Sequence, residues 1–270
     1  MLLGKKIGRG NTAEVYELDH VDQKVMKLFY ESIPFKHIKK EYETSKIINQ
    51  LGIPSPNVDS ILEVNNKWGI IYEKIFGQNF TQVLSSNPLL LKKNAYIFAE
   101  IQASFHQMSN DELAPQKEYL SQNIKGTSLL NKEEKELIVN YLKYLPADNK
   151  VCHGDYHPDN ISLMKRKPIV LDWMTGTSGN PCGDVARTLI ILRYASLPNG
   201  MPKLTKLIIQ TVRKVFARFY LNSYIKVTNS SSESINRWFL PIMAARLVES
   251  IEESEKQFLL KKIKSILSTI

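Results

Sequence analysis

Cysteine is scarce in this chain. Only Cys152 and Cys182 occur, with no CxxC pair, which excludes a disulfide scaffold and the usual zinc spacings. A reduced, cytoplasmic setting is therefore expected. Long apolar runs are also missing: Pro168 to Leu171 and Leu189 to Leu192 are far too short to cross a bilayer, so no membrane partner is expected. The first residues, MLLGKK, place their lysines after a two-leucine stub, the reverse of a secretory leader. Repeats are absent, and the only low-complexity tract is the short serine run near Ser230. Glycine and proline, 12 each in 270 residues, are not in excess. With 43% hydrophobic and 23% charged residues, that leaves little room for a long disordered segment.

What is present in excess is positive charge, +9 overall. Residues 1–77 hold 11 Lys+Arg against 10 Asp+Glu, and residues 78–270 hold 25 against 17. The cations are spread along amphipathic stretches such as KLTKLIIQTVRKVFARF instead of forming one block. Solvated helix faces with mild attraction for anionic ligands account for them, so no nucleic-acid partner is expected. Nothing bears on oligomeric state, and a monomer is the default.

Along the chain, short β-type runs come first: Lys6–Ile7, Val15–Leu18 and Val25–Phe29, separated by Gly, Asn and Asp. SIPFKHIKKEYETSKIINQLG then reads as a helix. Ser32 is the expected N-cap, Pro34 sits in the first turn, Ile38, Tyr42, Ser45 and Ile48 lie near one face, and Gly52 closes it. Two further strands, Ile61–Val64 and Gly69–Glu73, are joined by Asn65 and Asn66. From Gly77 the character turns helical, including a segment opened by an Asn131/Glu134 capping box. The exception is 150–172. A β-rich lobe, residues 1–77, thus precedes a larger helical lobe, residues 78–270.

Within the exception lies HGDYHPDN, followed by two apolar runs, Ile161–Met164 and Pro168–Leu171, around a KRK turn. Pairing these runs as a hairpin brings Asn160 and Asp172 side by side, with Asp155 on the preceding loop. Two carboxylates and an amide, all oxygen donors, suit Mg²⁺, which takes few protein ligands and shares the rest with water and phosphates. The N-terminus agrees with a nucleotide reading. IGRGNTAEVY sets Gly8, Gly10 and Ala13 between two strands, with Val15 beyond. A strand follows where a dinucleotide fingerprint needs a helix, so the pattern fits a flap over ATP phosphates. Lys27, inside the apolar strand VMKLF, needs a partner there. Glu41 and Glu43 are the candidates, Glu41 the favoured one.

This order of glycine-rich loop, strand lysine, helix glutamate, H-G-D-x-x-x-x-N and L-D-W resembles the protein-kinase-like fold. HGD in place of H-R-D is similar to the aminoglycoside phosphotransferase and choline-kinase-like families. The resemblance spans nearly the whole chain. It implies an α+β, bilobal protein-kinase-like fold and an ATP- and Mg²⁺-dependent kinase acting on a hydroxyl of a small molecule: an aminoglycoside, amino alcohol, sugar or vitamin-like metabolite. By position, it makes Asp155 the residue that accepts or orients the acceptor proton, and Asn160 and Asp172 the metal ligands. Lys27, paired with Glu41, would contact the α- and β-phosphates. The backbone of Glu73 to Ile75 would hold adenine. Two departures stand out. Ala13 replaces the third loop glycine, and Trp173 with Met174 replaces Phe-Gly, which argues against a protein-kinase activation switch.

Other residues carry plainer expectations. His153 braces the loop, His157 and Pro158 shape the turn, and Cys152 is a small buried residue. Asp184 ties the catalytic loop from a helix N-terminus. His20, His37 and His106 show no metal spacing and are given no role. Glu249, Glu252, Glu253 and Glu255 match a region where aminoglycoside-modifying relatives bind substrate amines. A solvated helix junction fits them as well. A silent nucleotide-binding regulatory module is the alternative reading, disfavoured because Lys27, Asp155, Asn160 and Asp172 are all present.

Overall fold

A computed structural model describes residues 3–19, 23–164, 167–197 and 200–269. Lys165 and Arg166 of the KRK turn, and His20, lie outside the described residues. The first elements are β1 (Leu3–Arg9), β2 (Ala13–Leu18), β3 (Lys24–Phe29), α1 (Phe35–Gln50), β4 (Val58–Val64) and β5 (Lys67–Glu73). Next come β6 (Gln78–Asn79), α2 (Phe80–Ser86), α3 (Leu91–Phe105), α4 (Gln116–Gly126), α5 (Lys132–Tyr144) and β7 (Lys150–Cys152). The remainder is β8 (Ile161–Met164), β9 (Lys167–Val170), β10 (Thr177–Gly179), α6 (Pro181–Tyr194), α7 (Lys203–Thr228), α8 (Ser232–Asn236), α9 (Phe239–Arg246) and α10 (Glu253–Leu267). Two compact units result, one of residues 1–83 with 158–176, the other of 84–157 with 177–270.

The first unit is built on an antiparallel sheet in the order β1-β2-β3-β5-β4. Its β4–β5 hairpin pairs Val64 with Lys67 across Asn65 and Asn66, which both take positive φ (49° and 61°). That is the two-residue turn whose twist matches its strands, and asparagine tolerates it. Side chains alternate across β3. Phe29 packs with Ala13, Ile70 and Ile38 of α1, whereas Met26 and Leu28 join Leu18 and Ile71 on the opposite face. Helix α1 buries Ile38, Glu41, Thr44, Ser45 and Ile48, a stripe at three- and four-residue spacing. Its N-cap is Pro34, not Ser32, and no side chain caps it. The fixed φ of proline suits the entry, so the chain turns into helix after it.

A smaller sheet, β6-β8-β9, completes this unit. The expected hairpin is there, with Ile161 opposite Val170 and Met164 opposite Lys167. Because β8 also pairs with β6, residues 158–176 pack with the first unit.

In the second unit α6 is buried almost throughout, from Gly183 to Leu192. Asn180 caps it by accepting from the Cys182 N–H at 2.9 Å, with Pro181 in the first turn. Asn131 and Glu134 form the capping box expected for α5. β7 pairs with β10, a strand with no sequence signal of its own. α3 and α7 pack through Phe98 and Phe216, with ring centroids 5.4 Å apart.

Candidate active site

In the first unit, period-2 alternation turns Lys27 to the same side of β3 as Phe29, toward α1. Glu41 lies one turn beyond Ile38 on the inward stripe, so the two meet: Lys27 Nζ donates to Glu41 Oε1 at 2.7 Å. Glu43 faces outward instead and pairs with Lys39 at 3.7 Å. Lys27 also donates to Asp172 Oδ1 at 3.0 Å. Tyr72 donates to Glu41 Oε1 at 3.1 Å, while Glu41 Oε2 is buried and finds no partner among the described residues. Burial pulls the Lys27 ammonium down, but Asp172 and Glu41 outweigh it and hold the lysine firmly charged. Burial pushes the Glu41 carboxyl up against the pull of Lys27.

Asp172 and Asn160 flank one end of the β8–β9 hairpin, where the Leu171 N–H donates to the Asn160 carbonyl at 2.8 Å. Asp172 has φ of +60°, a left-handed conformation uncommon outside glycine and strained by roughly 1–3 kcal/mol. Such strain persists only where neighbours impose it, and here a tight turn follows: Trp173 is buried and its carbonyl accepts from the Gly176 N–H at 2.9 Å. The donor set is an amide oxygen and a carboxylate. Among the described residues no group of three or more His, Cys, Asp or Glu side chains forms a metal cage. Hard oxygen donors in small number fit Mg²⁺, which retains water and phosphate ligands.

The glycine-rich turn joins β1 to β2, with Gly8 opposite Val15 and the Gly10 N–H donating to the Ala13 carbonyl at 2.8 Å. A Cβ on Gly8 would sit 3.3 Å from the Val15 Cβ, so the close strand approach favours glycine. Val15 pairs in turn with Lys27 in the β2–β3 register. At the end of β5, the Glu73 N–H donates to the Asn57 carbonyl at 2.8 Å and the Lys74 N–H to Gln23 at 2.7 Å. The Glu73 carboxylate is taken up by Asn57 Nδ2 at 2.7 Å. The backbone at Glu73 and Lys74 is thus fixed.

The second unit holds the HGD turn. Asp184, at the start of α6, is fully buried and gathers four donors. The Gly154 N–H reaches Oδ1 at 2.6 Å, and the His153 N–H reaches Oδ2 at 3.2 Å. Gln102 Nε2 and His106 Nε2 donate to Oδ2 at 2.9 and 3.0 Å. Burial alone would raise this carboxyl, but the donors, His106 foremost, hold it below its usual value. His106, given no role from spacing, is therefore a brace, buried between Asp184 and the Tyr224 hydroxyl at 2.7 Å. His153 Nδ1 accepts from the Asp155 N–H at 3.1 Å. Gly154 has φ of +75°, so this turn favours glycine.

Asp155 then faces His157, with Nε2 3.4 Å from Oδ2, and Arg187, with an Nη 3.6 Å from Oδ1. Burial works to raise the Asp155 carboxyl, yet the His157 hydrogen bond and the charges of His157 and Arg187 drive it well below the usual range. Arg187 carried no sequence signal, being one more residue of the helix GDVART. Glu249 clamps it from the far side, accepting at 2.5 and 3.0 Å, and also accepts from Arg246 at 2.8 Å. Glu255 is buried and accepts from Arg246 Nε at 2.7 Å and the Ser196 N–H at 2.9 Å. The solvated-junction reading is thus corrected for Glu249 and Glu255, since each neutralises buried arginine; Glu252 and Glu253 remain exposed.

The sequence model of the phosphotransferase enzyme family matches residues 4–201, well over half of the chain. The chain belongs to that family. Among solved structures, this phosphotransferase is similar to the amicoumacin kinase hAmiN in complex with AMP-PNP, Ca²⁺ and Ami. The TM-score is 0.64 at 13% identity, covering 98% of this chain and 88% of that one. It is similar to APH(2")-IIa in its ternary complex with streptomycin and ATP, with a TM-score of 0.60, 14% identity and 97% and 90% coverage. A choline/ethanolamine kinase family protein from Mesorhizobium loti gives 0.60 at 10% identity, covering 97% and 87%. No curated protein sequence matches the chain. At these identities the likeness establishes the protein-kinase-like fold, with its β-rich N-terminal sheet and helical C-terminal part. α6 begins at Pro181, nine residues after Asp172, so the phosphotransferase has no room there for a long activation segment.

Proposed function

We propose that this phosphotransferase is a kinase that moves the γ-phosphoryl group of ATP to a hydroxyl of a small molecule. The observation that carries the reading is the Lys27 ammonium, kept charged by Glu41 and Asp172 on a strand beside the glycine-rich turn. A cation kept charged beside the glycine-rich turn supports the binding of a triphosphate there.

Residues 1–77 would act as the nucleotide-binding lobe and 78–270 as the catalytic and acceptor-binding lobe. The β1–β2 turn, with Gly8, Gly10, Ala13 and Val15, covers the phosphates, and Lys27 contacts the α- and β-phosphates. The Glu73 to Ile75 backbone takes adenine. Asn160 and Asp172 would hold Mg²⁺, which supplies charge neutralisation to the phosphates when bound. Asp155, its carboxylate held ionised, orients the acceptor hydroxyl for in-line attack. So weak a base takes the proton late, as the new O–P bond removes charge from the hydroxyl oxygen. Arg187 and His157 hold that carboxylate in place, and Asp184 fixes the backbone beneath it. Catalysis is then mostly positioning and charge compensation.

Purified protein with Mg²⁺ and ATP should release ADP slowly. One acceptor from a panel of hydroxylated metabolites and antibiotics should raise that rate sharply and appear phosphorylated by mass spectrometry. Tight nucleotide binding with no ADP formed for any acceptor would defeat the reading and favour a regulatory nucleotide-binding role.

A further inference from the structure

The outward face of α7 is unexplained by any of this. Leu204, Leu207, Ile208, Val212 and Val215 are 70%, 59%, 55%, 39% and 39% exposed. At 100° per residue these five fall within an arc of about 140° on one side of the helix. Phe216, Ala217, Tyr220 and Tyr224, the residues α7 buries, lie on the other side. Along 203–215 the inner side is half-buried, with Arg213 donating to the carbonyls of Ala195 and Ile191 at 2.8 and 2.6 Å, while the stripe stays exposed. Exposed Lys203, Lys214 and Arg218 border the stripe.

Charge decides between occupants. From Lys203 to Thr228 α7 has no Asp or Glu, while it has six Lys and Arg, of which Lys203, Lys214, Arg218 and Lys226 are exposed. A second copy docking symmetrically would set these cations against themselves. An anionic lipid surface meets both parts of the face, headgroups on the cations and acyl boundary on the stripe. The short apolar runs exclude a span, and no described helix is long and apolar enough to cross a membrane. A helix lying in the interface plane needs only a stripe with a basic border. We propose that α7 docks this protein peripherally on anionic bilayers through Leu204, Leu207, Ile208, Val212 and Val215.

The test is co-sedimentation of the full chain with vesicles of phosphatidylcholine alone and with about one-third phosphatidylserine added. Binding is expected to the mixed vesicles only, and to weaken as salt rises from about 0.1 to 0.5 M. The triple variant Leu204→Ser, Leu207→Ser, Ile208→Ser should lower partitioning by about tenfold or more while circular dichroism and melting stay unchanged. Three results would each overturn the proposal: no binding to either vesicle, equal binding by the triple variant, or equal binding to both compositions. A concentration-dependent dimer in sedimentation that the triple variant abolishes would overturn it too, assigning the face to a second copy. None of these readouts depends on catalysis.

Discussion

Replacing Lys27 with Met removes the only cation hydrogen-bonded to Glu41 among the described residues, while keeping the bulk of the side chain on β3. Glu41 is 1% exposed and would retain Tyr72 as a donor, with Oε2 still lacking a partner among the described residues. Leaving one half of a buried pair uncompensated costs about 3–5 kcal/mol, a large part of the total stability of a domain this size. A solvent-exposed pair would cost far less. The loss also has a direction with pH. Without Lys27, burial raises the Glu41 carboxyl above its unfolded value with less to oppose it. A carboxyl raised in the folded state binds protons more tightly than in the unfolded chain. Its penalty is therefore absent below the usual glutamate range near 4.3 and grows as pH rises. The variant should melt several degrees higher at pH 5 than at pH 8, and adding Glu41→Gln should erase most of that difference. ATP affinity should fall in the single and the double variant alike, because both lack the cation proposed to contact the phosphates. Urea titrations at the two pH values, with nucleotide binding by calorimetry, supply the numbers. A single variant that loses under about 1 kcal/mol at pH 8, with no pH trend, refutes the buried-pair argument.

Asp155→Asn should slow phosphotransfer by roughly 10²–10⁴-fold while ATP affinity stays near wild type, since the proposed role sets it against the acceptor and not the nucleotide; a variant with half its activity counts against the role. Asp172→Asn should raise the Mg²⁺ concentration needed for turnover, and an unchanged metal titration would make Asp172 purely structural. Asp184→Asn turns an amide toward donors and should cost about 3–5 kcal/mol, measured by urea unfolding. The Asp184 carboxyl is depressed on folding, so its contribution is present above the unfolded aspartate value near 3.9 and is lost as pH falls toward the folded one. The variant should therefore lose part of the acid-unfolding slope below about pH 4. Glu249→Ala strips the partner shared by Arg187 and Arg246, and should lower both melting temperature and turnover with no change in ATP affinity. A drop in melting temperature alone would make that clamp a stability device.

What the sequence by itself determined was local. Alternation, turn residues and caps gave the strands of the first sheet, the Asn65–Asn66 hairpin turn, the α5 capping box and the hairpin that aligns Asn160 with Asp172. Each is decided within a few residues by φ preferences, side-chain periodicity or a nearby hydrogen bond. The motif order was legible as well, because chemistry ties Lys27, HGD and LDW to fixed places along the chain. Ser32 failed as a cap because proline at 34 governed the entry, a rule that competed locally and won. The tertiary structure alone decided which carboxylates meet which cations. Lys27 stands 145 residues from Asp172, His106 stands 78 from Asp184, and Arg187 stands 62 from Glu249. No period or spacing encodes such pairs. They follow from which faces of β3, α3 and α6 the core leaves in contact, and burial then fixes how strongly each charge is held.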